Sequence, residues 1–210
     1  MLVLIGCEES QVICKSFRKA GFEAYSCDLQ PCSGGHPEWH LQMDVFKAIK
    51  LKSWDLGIFH PPCTDLSLSG AWKFKEKQKD GRQQASIKFF MDLTKTNIKH
   101  TAIENPMGIM GPLYRRPNQI IQPFQFGHAE AKTTCLWLKN LPLLKPTDKV
   151  YLKSTKDQWE NQTPSKNNKL SGGEKGSKKR SVTYNGIAEA MAYQWGQAIL
   201  NSYEDLKPLF

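Results

Sequence analysis

A chain of 210 residues, 40% hydrophobic and 10% aromatic, carries enough apolar side chain for one folded domain and too much for a disordered polymer. No apolar run reaches the length of a membrane helix, and MLVLIGC is too short and wrongly flanked for a secretory signal, so a cytoplasmic protein is expected. The net charge of +9 favours a polyanionic partner, while six cysteines without a CxxC pair or His–Cys ligand spacing point to buried thiols and no metal site.

Residues 2–6, LVLIG, read as a buried strand, followed by a helix with Val12, Ile13, Phe17 and Ala20 at helical spacing and Gly21 as its stop. FEAYSCDL is a second strand ending in Asp28, and a Pro/Gly-rich loop follows. A short strand or turn is expected around Met43-Asp44, with a helix starting after it. WDLGIFH is the next buried strand, and Pro61-Pro62 must end it, because two prolines remove two donors and fix both φ angles. RQQASIKFFMDLTKTNI is an amphipathic helix with Ile87, Phe90, Met91 and Leu93 inward; HTAIENP is a strand stopped by Pro106. The second half is less regular, with a strand around TTCLWLKNL, a Lys-, Gly- and Ser-rich mobile insertion at about 153–181, and a closing helical segment from Asn185.

Strands alternating with helices predict an α/β fold with a doubly wound parallel sheet, here one domain over residues 1–210. Such sheets bind ligands at the carboxyl ends of their strands. Those ends carry Cys7-Glu8, Asp28, Asp44, Pro61-Pro62-Cys63 and Glu104-Asn105-Pro106. A lone cysteine in a turn is most often inert, and a lone carboxylate at a strand end most often a cap. Together on one sheet edge they make a thiol able to add to an electron-poor carbon and an acid able to protonate the ring that receives it. Cys135, between apolar residues, reads as core, as do Trp54, Trp137 and Trp195; His128 and Lys132 flank a turn that could face the site.

HPPCTDLS resembles the Pro-Pro-Cys motif of the cytosine-5 DNA methyltransferases, and IENP resembles their Glu-Asn-Val motif, in the same order along the chain. The resemblance covers most of residues 1–145 and 181–200. It implies a Rossmann-like, mostly parallel methyltransferase sheet, S-adenosylmethionine as cofactor, and methylation of cytosine C5 through a covalent Cys63 adduct assisted by Glu104. In duplex DNA the base must leave the stack to reach a thiol. By the same resemblance, Cys7, Glu8 and Ser10 in LVLIGCEES, Asp28-Leu29, Asp44-Val45 and Pro61 line the cofactor. TYNGIAEAMA resembles the final helix motif that completes that pocket. Pro62, Asn105, Arg115, Arg116, Lys179 and Arg180 are candidates for substrate or nucleic acid, with Lys166, Lys169, Lys175 and Lys178 as further phosphate contacts in the insertion.

The chain departs from the family pattern in several places. The turn after the first strand is CEESQ, with no glycine after Gly6; Pro106 replaces the valine; and nothing after NLPLLKP is long enough for a target-recognition domain. The substrate is then duplex or single-stranded DNA, with a protein partner supplying target recognition in one variant, or a free cytosine nucleotide. A non-catalytic methyltransferase fold that binds nucleic acid or a protein stays open beside them. An exocyclic-amine methyltransferase fits less well, because His60 and Cys63 stand where its motif carries an acidic or amide residue and an aromatic.

Overall fold

The apolar stretch Leu2–Gly6 forms β1, and Leu56–Phe59 forms β4 beside it. Both are central parallel strands covered on two faces, which is why they read as unbroken apolar runs rather than alternating ones. The computed structural model describes residues 1–152, 157–165, 169 and 181–204. Helix α1 (Val12–Lys19) leads to β2 (Glu23–Asp28), β3 (His40–Gln42) and α2 (Val45–Leu51). After β4 come α3 (Phe74–Lys79), α4 (Arg82–Thr94), β5 (His100–Pro106), α5 (Met110–Leu113), β6 (Gln119–Ile121) and β7 (Thr134–Lys139). The last described segment runs from α6 (Asn185–Ala190) through a π-helical turn, Met191–Trp195, into α7 (Gly196–Glu204).

Among the described residues the strands form one sheet in the order β3-β2-β1-β4-β5-β7-β6. The first five are parallel, and β7 runs against both β5 and β6. This is a doubly wound, mostly parallel α/β sheet. Alternate side chains feed two cores. Val3, Ile5, Ile13, Phe17, Ile187 and Trp195 pack on one face; Leu4, Phe59, Phe90, Leu93 and Trp137 pack on the other. Each fully buried side chain of this size contributes about 1.5–3 kcal/mol of transfer free energy. Trp54, Trp137, Trp195 and Cys135 are packing residues in this arrangement.

One expectation shifts. The strand expected around Met43-Asp44 lies just before it, because Asp44 instead accepts the N–H groups of Phe46 and Lys47 and so caps α2. Leu68–Lys73 forms a 3₁₀ turn that runs directly into α3.

Candidate active site

The Pro-Pro break does at β4 what its chemistry requires. His60 N–H makes the last bond along the strand, to Gly6 C=O at 3.0 Å, and the prolines then offer no donor. The Cys63 carbonyl accepts the N–H groups of Leu66 and Ser67 at 3.0 and 2.9 Å, closing a turn with Cys63 half-buried at its start. The turn is held from two sides. Leu66 is fully buried, its carbonyl accepts Ile109 N–H, and Leu68 N–H reaches Met107 C=O. Gly108 is required there, since a Cβ would lie 2.2 Å from Leu66 O. On the other side, the buried Lys77 ammonium donates to Thr64 C=O at 2.5 Å and sits 3.4 Å from the Asp65 carboxylate. Gln83 and Ser86 of α4 add bonds to Asp65. None of these four residues stood out in the sequence, because a lysine among lysines and an Asp in a turn give no pattern.

Glu104 arrives from β5, in register beside β4 (Phe59↔Ile103), so it stands at the same edge as Cys63. Asn105 joins the two strand ends: its buried amide donates to Pro61 C=O at 2.9 Å. Through that bond Asn105 ties the Pro-Pro-Cys segment in place. Glu104 itself meets His60, Nδ1 to Oε2 at 3.2 Å, with side chains only 12% and 18% exposed. Burial pushes the Glu104 carboxyl up. The His60 hydrogen bond and charge, the Lys132 charge and the Thr134 hydroxyl outweigh it, and the group is held below the usual carboxylate range. In the sequence His60 stood out as the residue before two prolines and as a mismatch to the exocyclic-amine motif, with no sign of its carboxylate partner.

A narrow cleft opens on this pair, lined by His60, Glu104, Lys132, Thr134, Tyr184 and Met191 among others. Its volume is about 10 Å³, room for about one water molecule. The C-terminal segment forms one wall and is clasped down. Gly186 N–H donates to His128 Nε2 at 3.1 Å, and Tyr184 O–H to Glu130 at 2.5 Å. A Cβ on Gly186 would meet Phe126 O at 1.9 Å, so this approach needs glycine. The structure thus brings Lys132 into the cleft and gives His128 a clasping role.

The end of β1 is built differently. Cys7 and Gln11 take left-handed backbone angles, at φ 61° and 59°. Gln11 is fully buried, with bonds to Ser26 and to both backbone groups of His36. The buried Glu8 carboxylate accepts Ile13 N–H at 2.7 Å and Cys14 N–H at 3.3 Å. It fills the amino end of α1, whose N–H groups would otherwise suit an anionic group. Glu8 therefore caps α1, and burial raises its carboxyl against the pull of His60, these two N–H groups and Lys15. Burial raises the Cys7 thiol too, and the charges of Asp28 and Asp44 add to the rise, so these two carboxylates act on the mouth of the turn. Leu29 is exposed and Ser10 half-buried, whereas Val45 lies in the core and Pro61 is buried under Asn105. Residues able to hold a cationic, hydroxyl-bearing cofactor are thus Asp28 and Asp44, with Cys7, Ser10 and Leu29 around them.

Of the remaining candidates, Pro62 stands at this edge next to Cys63, whereas Arg115 lies apart from it. Arg115 bonds Asn118 and Leu138 C=O, and lines a cavity of about 360 Å³ with Thr94, Thr101 and Lys139, at the start of β5 rather than its end. Arg116 and Pro62 are exposed. Lys169 donates its backbone N–H to Asn161 C=O. Lys166, Lys175, Lys178, Lys179 and Arg180 lie outside the described residues.

No protein-family model matches this chain, and no curated protein does. Solved structures similar to it include a DNA modification methyltransferase encoded within an E. coli prophage (15% identity, TM-score 0.47). Others are S. pombe Dnmt2 methyltransferase (16%, 0.42) and an rRNA methylase from Escherichia coli (12%, 0.36). The matches cover 71%, 66% and 65% of this chain and 52%, 48% and 55% of theirs. The chain spans about half the length of these proteins. The likeness is one of backbone path.

Proposed function

We propose that this protein is an S-adenosylmethionine-dependent methyltransferase that acts at C5 of cytosine in DNA. The observation that carries the reading is the joining of the Cys63 and Glu104 strand ends by the Asn105–Pro61 bond. It fixes a nucleophile and an acid on one edge, as addition to a ring requires. Cys63 adds to C6 and Glu104 meets N3, which makes C5 nucleophilic; loss of the C5 proton then expels the thiolate. Asp28 and Asp44 suit the ribose hydroxyls and positive charge of the cofactor, which supplies the methyl group when bound. Glu8 leaves the amino end of α1 closed to the methionine carboxylate. For a base to reach Glu104, the wall carrying Tyr184 and Met191 must withdraw, since the cleft holds about one water.

Polymeric substrate is supported by the segment after the Cys63 turn. Trp72 is 80% exposed there, with the Lys73 ammonium 4.7 Å from its ring centroid and Lys75 and Lys79 exposed nearby. An exposed aromatic among cations suits an unstacked nucleic acid strand. The second reading, a non-catalytic binding module, is favoured by the self-filled β1 turn.

Incubation with methyl-labelled S-adenosylmethionine and duplex DNA, single-stranded DNA or dCMP, beside a Cys63→Ala control, separates them. Label on cytosine C5 that the control lacks supports the enzyme, and the responding substrate identifies its class. Absence of both transfer and cofactor binding supports the binding module.

A further inference from the structure

We propose that His60 is a positioning residue that works through Glu104, the two forming a dyad that stores and returns the proton cytosine N3 needs. The proposal deepens the cytosine-methylation reading and rests on it.

A carboxylate that must protonate N3 needs a proton at neutral pH, yet an isolated carboxyl has lost its own by about pH 4.3. His60 Nδ1 lies 3.2 Å from Glu104 Oε2, and both side chains are nearly out of water. The strand-end prolines and the Asn105–Pro61 bond fix the imidazole's backbone, so the contact is built into the fold. The second ring nitrogen, Nε2, is buried and has no hydrogen-bond partner among the described residues. The charged and titratable groups around the pair come from every neighbouring element. Glu8 acts on His60 from the β1 turn, Lys132 and Cys135 act on Glu104 from β7 and its approach, and Tyr184 closes the cleft from α6. The Nδ1–Oε2 contact places the imidazole where it can hand a proton to the Glu104 carboxylate, which this setting holds below its usual range.

The proton inventory closes. Cys63 gives its thiol proton to solvent and its sulfur bonds to C6. As the ring takes up that electron pair, the His60 Nδ1 proton passes to Glu104 and a carboxyl proton passes to N3. After methylation the C5 proton leaves to solvent, the S–C6 bond breaks, the expelled Cys63 thiolate takes a proton back from solvent, and the N3 proton returns through Glu104 to His60. The dyad ends as it began, and one proton is released overall.

The test pairs two measurements on the full chain. In the first, the pH profile of kcat/KM for methyl transfer to DNA is compared between wild type and His60→Gln. Loss of the imidazole leaves the proton on a carboxyl alone, so the descending alkaline limb is expected to move to lower pH by about 1–2 units. The rate at pH 8 is expected to fall about 10²-fold. A uniform loss with an unmoved limb would mean that His60 is merely structural and would overturn the proposal. In the second, histidine ring signals are followed by NMR in wild type and Glu104→Gln, with His60→Gln assigning the resonance. His60 is expected to lose its proton at lower pH in Glu104→Gln, and an unchanged titration would overturn the dyad whether or not methyl transfer is seen. A coupled titration in a wild type that methylates none of the substrates would instead overturn the methyltransferase reading, and with it the relay, while leaving the ion pair established.

Discussion

Glu8 follows β1 and Glu104 stands near the end of β5 at the same edge of the sheet, both nearly out of water, yet their surroundings drive them in opposite directions. Glu8 meets two backbone N–H groups and its carboxyl is raised by burial. Glu104 suffers the same burial, but an imidazole, an ammonium and a hydroxyl reverse the outcome. The first carboxylate serves the fold by capping α1, while the second is kept charged beside His60 in a cleft on the sheet edge that also carries Cys63. Burial alone therefore does not mark a catalytic acid; the partners decide.

The largest expected effect tests the β4–β5 side of this comparison. Cys63→Ala should abolish methyl transfer by about 10⁴-fold or more while the turn keeps its supports from Leu66, Gly108 and Lys77. Retention of activity would break the comparison at once. Next, Asn105→Ala leaves Pro61 C=O without its donor and should cost about 1–3 kcal/mol in denaturant unfolding, together with activity. A loss of activity without a stability cost would instead put Asn105 on the substrate.

The two carboxylates themselves give the third test, by stability against pH. Glu8, raised in the folded state, contributes most below the ordinary glutamate value of about 4.3, and that contribution is lost as pH rises through its folded value. Glu8→Gln should therefore gain on wild type as pH rises from about 4. Glu104, lowered in the folded state, contributes above about 4.3 and loses this as pH falls through its folded value. Glu104→Gln should lose most at neutral pH and recover toward wild type in acid. Parallel profiles for the two variants would remove the distinction. The smallest structural effect is expected at Trp72→Ala: within about 0.5 kcal/mol in stability, with about 1 kcal/mol lost in single-stranded DNA affinity measured by fluorescence anisotropy.

Legibility in the sequence followed the same division. Strands β1, β2, β4 and β5 announce themselves through apolar runs closed by Gly6, Asp28, Pro61 and Pro106, and strand ends stopped by proline place Cys63 and Glu104 without further information. Strand β6 did not announce itself, because three residues between Pro117 and Pro123 carry no period. Helix α3 was hidden by its lysines, one of which, Lys77, is buried for a reason visible only in three dimensions. The capping role of Glu8 was equally hidden. A Ser, Thr, Asp or Asn immediately before a helix is the familiar signal, whereas this cap reaches five and six residues ahead across a left-handed Gln11. His60 needed its partner from β5, 44 residues away, before it meant anything.

The central claim, that Cys63 bonds to C6 of cytosine while Glu104 meets the ring, is tested most directly by trapping the adduct. Oligonucleotides carrying 5-fluorocytosine, which has no C5 proton to lose, would be incubated with the protein and S-adenosylmethionine and analysed by intact-mass and peptide mass spectrometry. The account expects a stable protein–DNA adduct mapped to the peptide containing Cys63 and absent from Cys63→Ala. An adduct on another residue, or methylation of cytosine by Cys63→Ala, would contradict it.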